Sequence, residues 1–145
     1  MEELWVRYLH FLGIIFLASM LAIENALLTE KLKAETARKL VLTDAMYGLS
    51  AIVTLGAGLI LWFSVGKPSQ FYTGNVIFHV KIGLFFLIAL MSLIPTIFFL
   101  KHRRNESPEI QVPRYIMRIK RLEATLLLLL PFLAILMARG YGMTS

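Results

Sequence analysis

The sequence predicts an all-α integral membrane protein, an antiparallel four-helix bundle with both termini outside. Three observations predict it. The 145 residues are 58% hydrophobic, with a mean hydropathy of +0.72, and a soluble chain this small has no core large enough to hide such a share. Four apolar runs each reach roughly 20 residues, the length at which an α-helix crosses about 30 Å of hydrocarbon. Basic residues cluster at alternate ends of those runs, as the positive-inside rule requires.

The length suits one domain, residues 1–145. The formal net charge is +6, but lipid topology explains the basic residues and no nucleic acid is needed as a partner. The chain has no cysteine, which excludes disulfides, iron–sulfur ligation and thiolate chemistry. No Gly-rich phosphate loop, catalytic triad or zinc signature is present in the sequence. The N-terminus reads as a retained span and not a cleaved signal. Glu2 and Glu3 precede any basic residue, and the apolar run exceeds a signal-peptide core.

The first span, about residues 5–28, opens on Trp5 and Tyr8 at the level of an aromatic belt and stops at TEKLKAE. The second, about 37–65, enters through RKLVLTD and leaves at GKPS, where Gly66 and Pro68 end a helical ladder. The third, about 75–102, is NVIFHVKIGLFFLIALMSLIPTIFFLKH. The fourth, about 114–137, follows the polar linker RRNESPEIQVP and contains ATLLLLLPFLAILM. Pro95 and Pro131 are expected to bend the third and fourth helices, which membranes tolerate.

Lys31, Lys33, Arg38 and Lys39 flank the first connection, and Lys101, Arg103, Arg104, Arg114, Arg118, Lys120 and Arg121 the third. The opposite side has Arg7, Lys67 and Arg139. This asymmetry sets connections one and three in the cytoplasm and both termini outside.

Ionisable side chains at membrane depth are costly, so each is a functional hypothesis by default. Here they fall into two layers. Near the outer face lie His10, His79 and Lys81; near the inner face lie Glu24, Asp44 and Glu123, accompanied by Arg38, Arg118 and Arg121. His10 and His79 sit at similar depth in the first and third helices, diagonal partners on the order of 12–14 Å apart. That gap admits a flat macrocycle with one imidazole on each side, as haem is held in bundles. Equally, two histidines are tolerated in the headgroup region. His79 and Lys81 lie about 200° apart around a helix, so they cannot both face inward. Ser92 and Thr96 continue the Lys81 face, while Gly83, Phe86 and Leu90 continue the His79 face, and Lys81 can also snorkel outward. The inner acids admit two readings: a proton relay, or ion pairs with Arg38, Arg118 or Arg121 that fix the cytoplasmic edge. On the second helix Asp44, Tyr47, Gly48, Ala51, Leu55 and Gly58 share a face whose small residues suit close packing in lipid.

The motifs ARKL-x3-DAMYGLSA, GK, FYTGN-x2-FHVK and LMSLIPT, within the stretch from Glu24 to Thr96, resemble an uncharacterised group of small four-helix bacterial membrane proteins. In that group an arginine often follows the glycine pair of the second span, whereas here Gly58 is followed by LILWF. A more distant resemblance is to the HemJ-type membrane protoporphyrinogen oxidases, with FH in the first span and FHxK opening the third, matching Phe78, His79 and Lys81. That resemblance implies haem b and oxidation of protoporphyrinogen. It implies His10 and His79 as iron-linked positions and Lys81 as a catalytic residue or a partner of porphyrin carboxylates. The oxidases' tryptophan–glycine and arginine pattern is replaced here by FLASMLAIENALL, which separates the chain from the oxidase activity more than from the haem. The copper-resistance membrane proteins belong to the same wider neighbourhood.

The leading expectation is a multi-pass protein of the bacterial inner membrane that binds haem or porphyrin and exchanges electrons with a porphyrin or quinone. If it is an enzyme, it is an oxidoreductase. The alternative is a non-enzymatic membrane protein without cofactor, a transporter, ion or proton path or assembly factor built on Lys81 and the inner acids. Either reading allows a homodimer, since faces rich in glycine and alanine invite packing.

Overall fold

The computed structural model describes residues 2–65, 73–102 and 109–142. Gly66, Lys67 and Pro68, at the expected end of the second span, lie outside the described residues, as do Arg103 and Arg104 of the third connection. Four long helices carry the chain: α1 (Glu2–Leu27), α2 (Ala34–Ile60), α3 (Val76–His102) and α4 (Arg114–Ala138). A π-helical turn, Leu61–Val65, continues α2. All four helices are long and apolar enough to cross a membrane, so the all-α class stands. α3 runs on through Pro95 and α4 through Pro131.

α1 packs most extensively on α2, and α3 on α4. Smaller seams between α1 and α4 and between α2 and α3 close the ring, which leaves α1 and α3 across the diagonal. Many large apolar side chains point outward, among them Phe11, Ile52, Leu90 and Leu128. In water such a surface would drive association, whereas in lipid it is the ordinary exterior of a span.

The two ends of the bundle are closed differently. At one end β1 (Lys31–Lys33) pairs antiparallel with β2 (Glu109–Gln111), Leu32 opposite Ile110. The KLK and EIQV stretches alternate in polarity, so both strands turn their apolar side chains inward. Leu32, Ile110 and Val112 join Leu28, Leu40, Phe99 and Ile116 in one buried cluster beneath the ribbon. From the sequence these connections read as plain polar links; the ribbon forms because two short alternating stretches emerge side by side.

At the other end the segment after α4 docks on the start of α3. Asn75, fully buried, accepts from the Ile77 N–H as an N-cap (2.9 Å) and donates from Nδ2 to the Tyr141 carbonyl (3.1 Å). The Val76 N–H donates to the Gly142 carbonyl. Gly142 has φ +83°, and a Cβ there would run into Asn75 and Ile77, so glycine is required on both counts.

Candidate functional site

The four helices meet at one buried polar cluster near the ribbon end. Its centre is Lys120, on α4, with no solvent-exposed side-chain surface. Lys120 Nζ lies 2.7 Å from Glu24 Oε2 on α1, 3.4 Å from Asp44 Oδ1 on α2 and 3.5 Å from Glu123 Oε1 on α4. Of the three N–H donors of the ammonium, two are placed by hydrogen bonds to Glu24 and Asp44, and Glu123 lies within ion-pair range. The Tyr47 hydroxyl donates to Glu123 Oε1 (3.2 Å), and its ring lies 4.5 Å beneath the ammonium. α3 contributes Thr96, whose hydroxyl donates to Asp44 Oδ2 at 2.5 Å. Asn25 Nδ2 donates to the Lys120 and Leu21 carbonyls. Glu24 Oε1 and Glu123 Oε2 are buried and take no hydrogen from Lys120, Tyr47 or Thr96, while the Glu24 and Asp44 carboxyl groups stand within hydrogen-bond reach of each other once one of them carries a proton.

The cluster does not end at Asp44. The buried face of α2 carries Asp44, Tyr47, Ser50 and Thr54 in succession, about 15 Å of polar side chains along the helix axis. A cavity of about 60 Å³ lies between α2 and α3, its wall including Asp44, Tyr47, Ser92 and Thr96. The rest of the wall, Leu17, Ala51, Phe85, Ile88 and Leu127 among it, is apolar. At the far end of the stripe, His10 Nδ1 meets the Thr54 carbonyl at 2.9 Å. A carbonyl can only accept, so Nδ1 carries the hydrogen and the neutral ring keeps its lone pair on Nε2.

The structure brings Glu24, Asp44 and Glu123 together, but their cation differs from the arginines considered from sequence. Arg38, Arg118 and Arg121 are exposed, and the ion pairs go to Lys120. Lys120, which by sequence belongs with the charges bordering the third connection, is interior. The signal that finds it is spacing. Ile116, Lys120, Glu123 and Leu127 recur at intervals of four, three and four, the stripe of one helix face.

Of the two opposed faces of α3, Lys81 is half-buried and His79 exposed. His79 Nε2 donates to the Thr73 carbonyl (2.7 Å), outside the bundle. Gly83, on the same side, has open space where a Cβ would stand. His10 is half-buried and within electrostatic reach of Lys81 and Arg7. Its ring packs on Gly58, 3.2 Å from where a Cβ would be. For a haem held between two imidazoles this is a split result. His10 has the tautomer of a ligating histidine, with Nδ1–H on a carbonyl, but His79 turns away from the interior that such a group would fill. As placed, the pair does not fit one shared iron. Among the described residues no three of the His, Asp and Glu side chains are set to hold a metal ion.

The small-residue face expected on α2 is divided in the same way. Gly58 is in contact with His10, while Gly48 has nothing within 4 Å of a Cβ position. The tightest approach comes from Gly13 on α1, whose Cβ would stand 2.5 Å from Thr54 Oγ1 and 3.1 Å from the Thr54 nitrogen.

A family described as "Predicted membrane protein (DUF2214)" matches residues 2–142, and the chain belongs to that family. No curated protein and no solved structure matches it.

Proposed function

We propose that this member of the DUF2214 membrane family is a non-enzymatic path for small cations or protons, with the Lys120 cluster as its binding point. One observation carries the reading. A single buried ammonium meets three carboxyl groups, and two of their oxygens take no hydrogen from it, Tyr47 or Thr96. Full ionisation leaves two negative charges uncompensated in a low-dielectric interior, a penalty of several kcal/mol for each, to an order of magnitude about 5. Neutrality there is reached by protons held on the carboxyl groups or by a bound cation. The cavity beside Asp44 and Thr96 leaves open space next to the cluster, although most of its wall is apolar.

The test is a flux measurement. In liposomes under an imposed diffusion potential, the reading expects uptake above that of empty vesicles and its loss in Asp44→Asn. Equal rates with and without protein refute it.

The basic residues around the ribbon, Lys31, Lys33, Arg38 and Lys39 among them, support a cytoplasmic ribbon end and an inner-membrane location. A b-type haem held by His10 alone, with a porphyrin or quinone as redox partner, is a second reading. It draws on the resemblance to HemJ-type oxidases and on the His10 tautomer. A Soret band in detergent-purified protein is the result that would sustain it.

A further inference from the structure

Resting on the path reading above, we infer that the cation bound by the cluster is the proton, and that its seat lies between the Glu24 and Asp44 carboxyl groups. The two acids come from α1 and α2 and converge on Lys120 Nζ, which donates to Glu24 Oε2 (2.7 Å) and Asp44 Oδ1 (3.4 Å). They stand within hydrogen-bond reach of each other. An ionised carboxyl group has no hydrogen to give, so two of them at that range only repel. One proton between them turns the repulsion into a charge-assisted O–H···O bond, roughly twice as strong as a bond between neutral groups.

Among the described residues around the pair, no other hydrogen fills the gap. The Lys120 ammonium already serves both acids and has Glu123 within ion-pair range. The Tyr47 hydroxyl donates to Glu123 Oε1. Thr96 has one hydrogen to share between Asp44 Oδ2 and the Ser92 carbonyl. Asn25, beside Glu24, gives its amide hydrogens to the Leu21 and Lys120 carbonyls. Glu24 Oε1, on a residue with no exposed surface, receives none of these. The charge balance points the same way. One ammonium among three carboxylates leaves two negative charges over, and the shared proton removes one of them.

A metal cation is worse placed. Lys120 Nζ fills the point on which the three acids converge, so a metal would keep its full charge beside an ammonium. A bound proton becomes part of a neutral carboxyl group. The cavity next to Asp44, walled mostly by apolar side chains, is a poor stop for a hydrated metal ion. Binding is then a protonation: hydronium gives its proton to a carboxylate oxygen and leaves as water, and release runs the same exchange backwards. Lys120 keeps its own protons throughout.

The experiment uses the full chain in liposomes at neutral pH. Infrared spectra are taken in light and heavy water, and uptake under an imposed diffusion potential is followed with an internal pH dye and a sodium dye. A protonated carboxyl group absorbs above the carboxylate and amide bands. The wild type is expected to show such a band, moving in heavy water, and to take up protons but not sodium. Glu24→Gln and Asp44→Asn each supply an amide hydrogen in the proton's place, so both are expected to stay folded yet lose the band and the uptake together. Glu123→Gln is expected to keep the band. If the wild type has no band, or the band survives in either Glu24→Gln or Asp44→Asn, this inference is wrong; loss of uptake in Asp44→Asn then leaves the path reading standing with another cation. Sodium uptake above that of empty vesicles, or loss of the band on adding sodium, would overturn the proton assignment. If the band behaves as expected but no uptake exceeds that of empty vesicles, the path reading is wrong and carriage of the proton falls with it.

Discussion

Lys120 Nζ and Glu24 Oε2 are 2.7 Å apart, and neither side chain has any exposed surface. The pair joins the first and last helices across 96 residues of sequence. It is the shortest of the three ion pairs in the cluster, and it ties the two ends of the chain to a common polar centre. Buried pairs of this kind are weak as net stabilisers but severe when half is removed, because the surviving charge is left without a partner.

Lys120→Met is therefore expected to destabilise the bundle by about 3–5 kcal/mol. Reversible unfolding in detergent measures it. Lys120→Met with Glu24→Gln is expected to lose less than the two single changes combined, since the double change removes one of the stranded charges. A neutral Lys120→Met would show that the lysine is not held as described.

Gly13→Ala is expected to force α1 away from α2, because its Cβ would meet Thr54 Oγ1 at 2.5 Å and backbone at 3.1 Å. The expected loss is about 1–3 kcal/mol, typical of overpacking. Gly48→Ala, with open space around it, is expected to be neutral or slightly stabilising. Thermal melting of both variants in one detergent decides the matter; equal loss in both contradicts the packing.

The four spans were legible because an apolar run of about 20 residues has few other uses. The depth of Glu24, Asp44 and Glu123 was legible for the same reason. Their partner was not. Lys120 stands next to Arg121 and two residues after Arg118, so a linear reading merges it with a basic run at the membrane edge. The helix then separates them, turning Lys120 inward and both arginines out. For α3, geometry alone left His79 and Lys81 competing for the interior. The tie is broken by Thr96, on the Lys81 side, which reaches Asp44. The ribbon was hidden because each strand has three residues and its partner is a distant connection.

Orientation is open to direct labelling, since the chain has no native cysteine. Single cysteines at Thr29 and Gln111, both exposed at the ribbon end, are expected to resist a membrane-impermeant thiol reagent in intact spheroplasts and to react after lysis. A cysteine at Tyr141 is expected to react before lysis. The reverse pattern would invert the bundle.

The optical spectrum of the purified protein separates the two functional readings. The path reading expects no Soret band even after expression with ample haem. A band lost on changing His10 but kept on changing His79 would indicate a single imidazole ligand, consistent with the outward turn of His79.

The central claim is that the buried cluster, and not the exposed charge around it, supports conduction. The most direct test compares Asp44→Asn with Arg38→Gln at equal protein density in the same liposomes under the same imposed potential. Asp44 lies inside the cluster, and Arg38 is exposed at the same end of the bundle. The account predicts that Asp44→Asn falls to the rate of empty vesicles while Arg38→Gln conducts as the wild type does. Wild-type conduction by Asp44→Asn would contradict it.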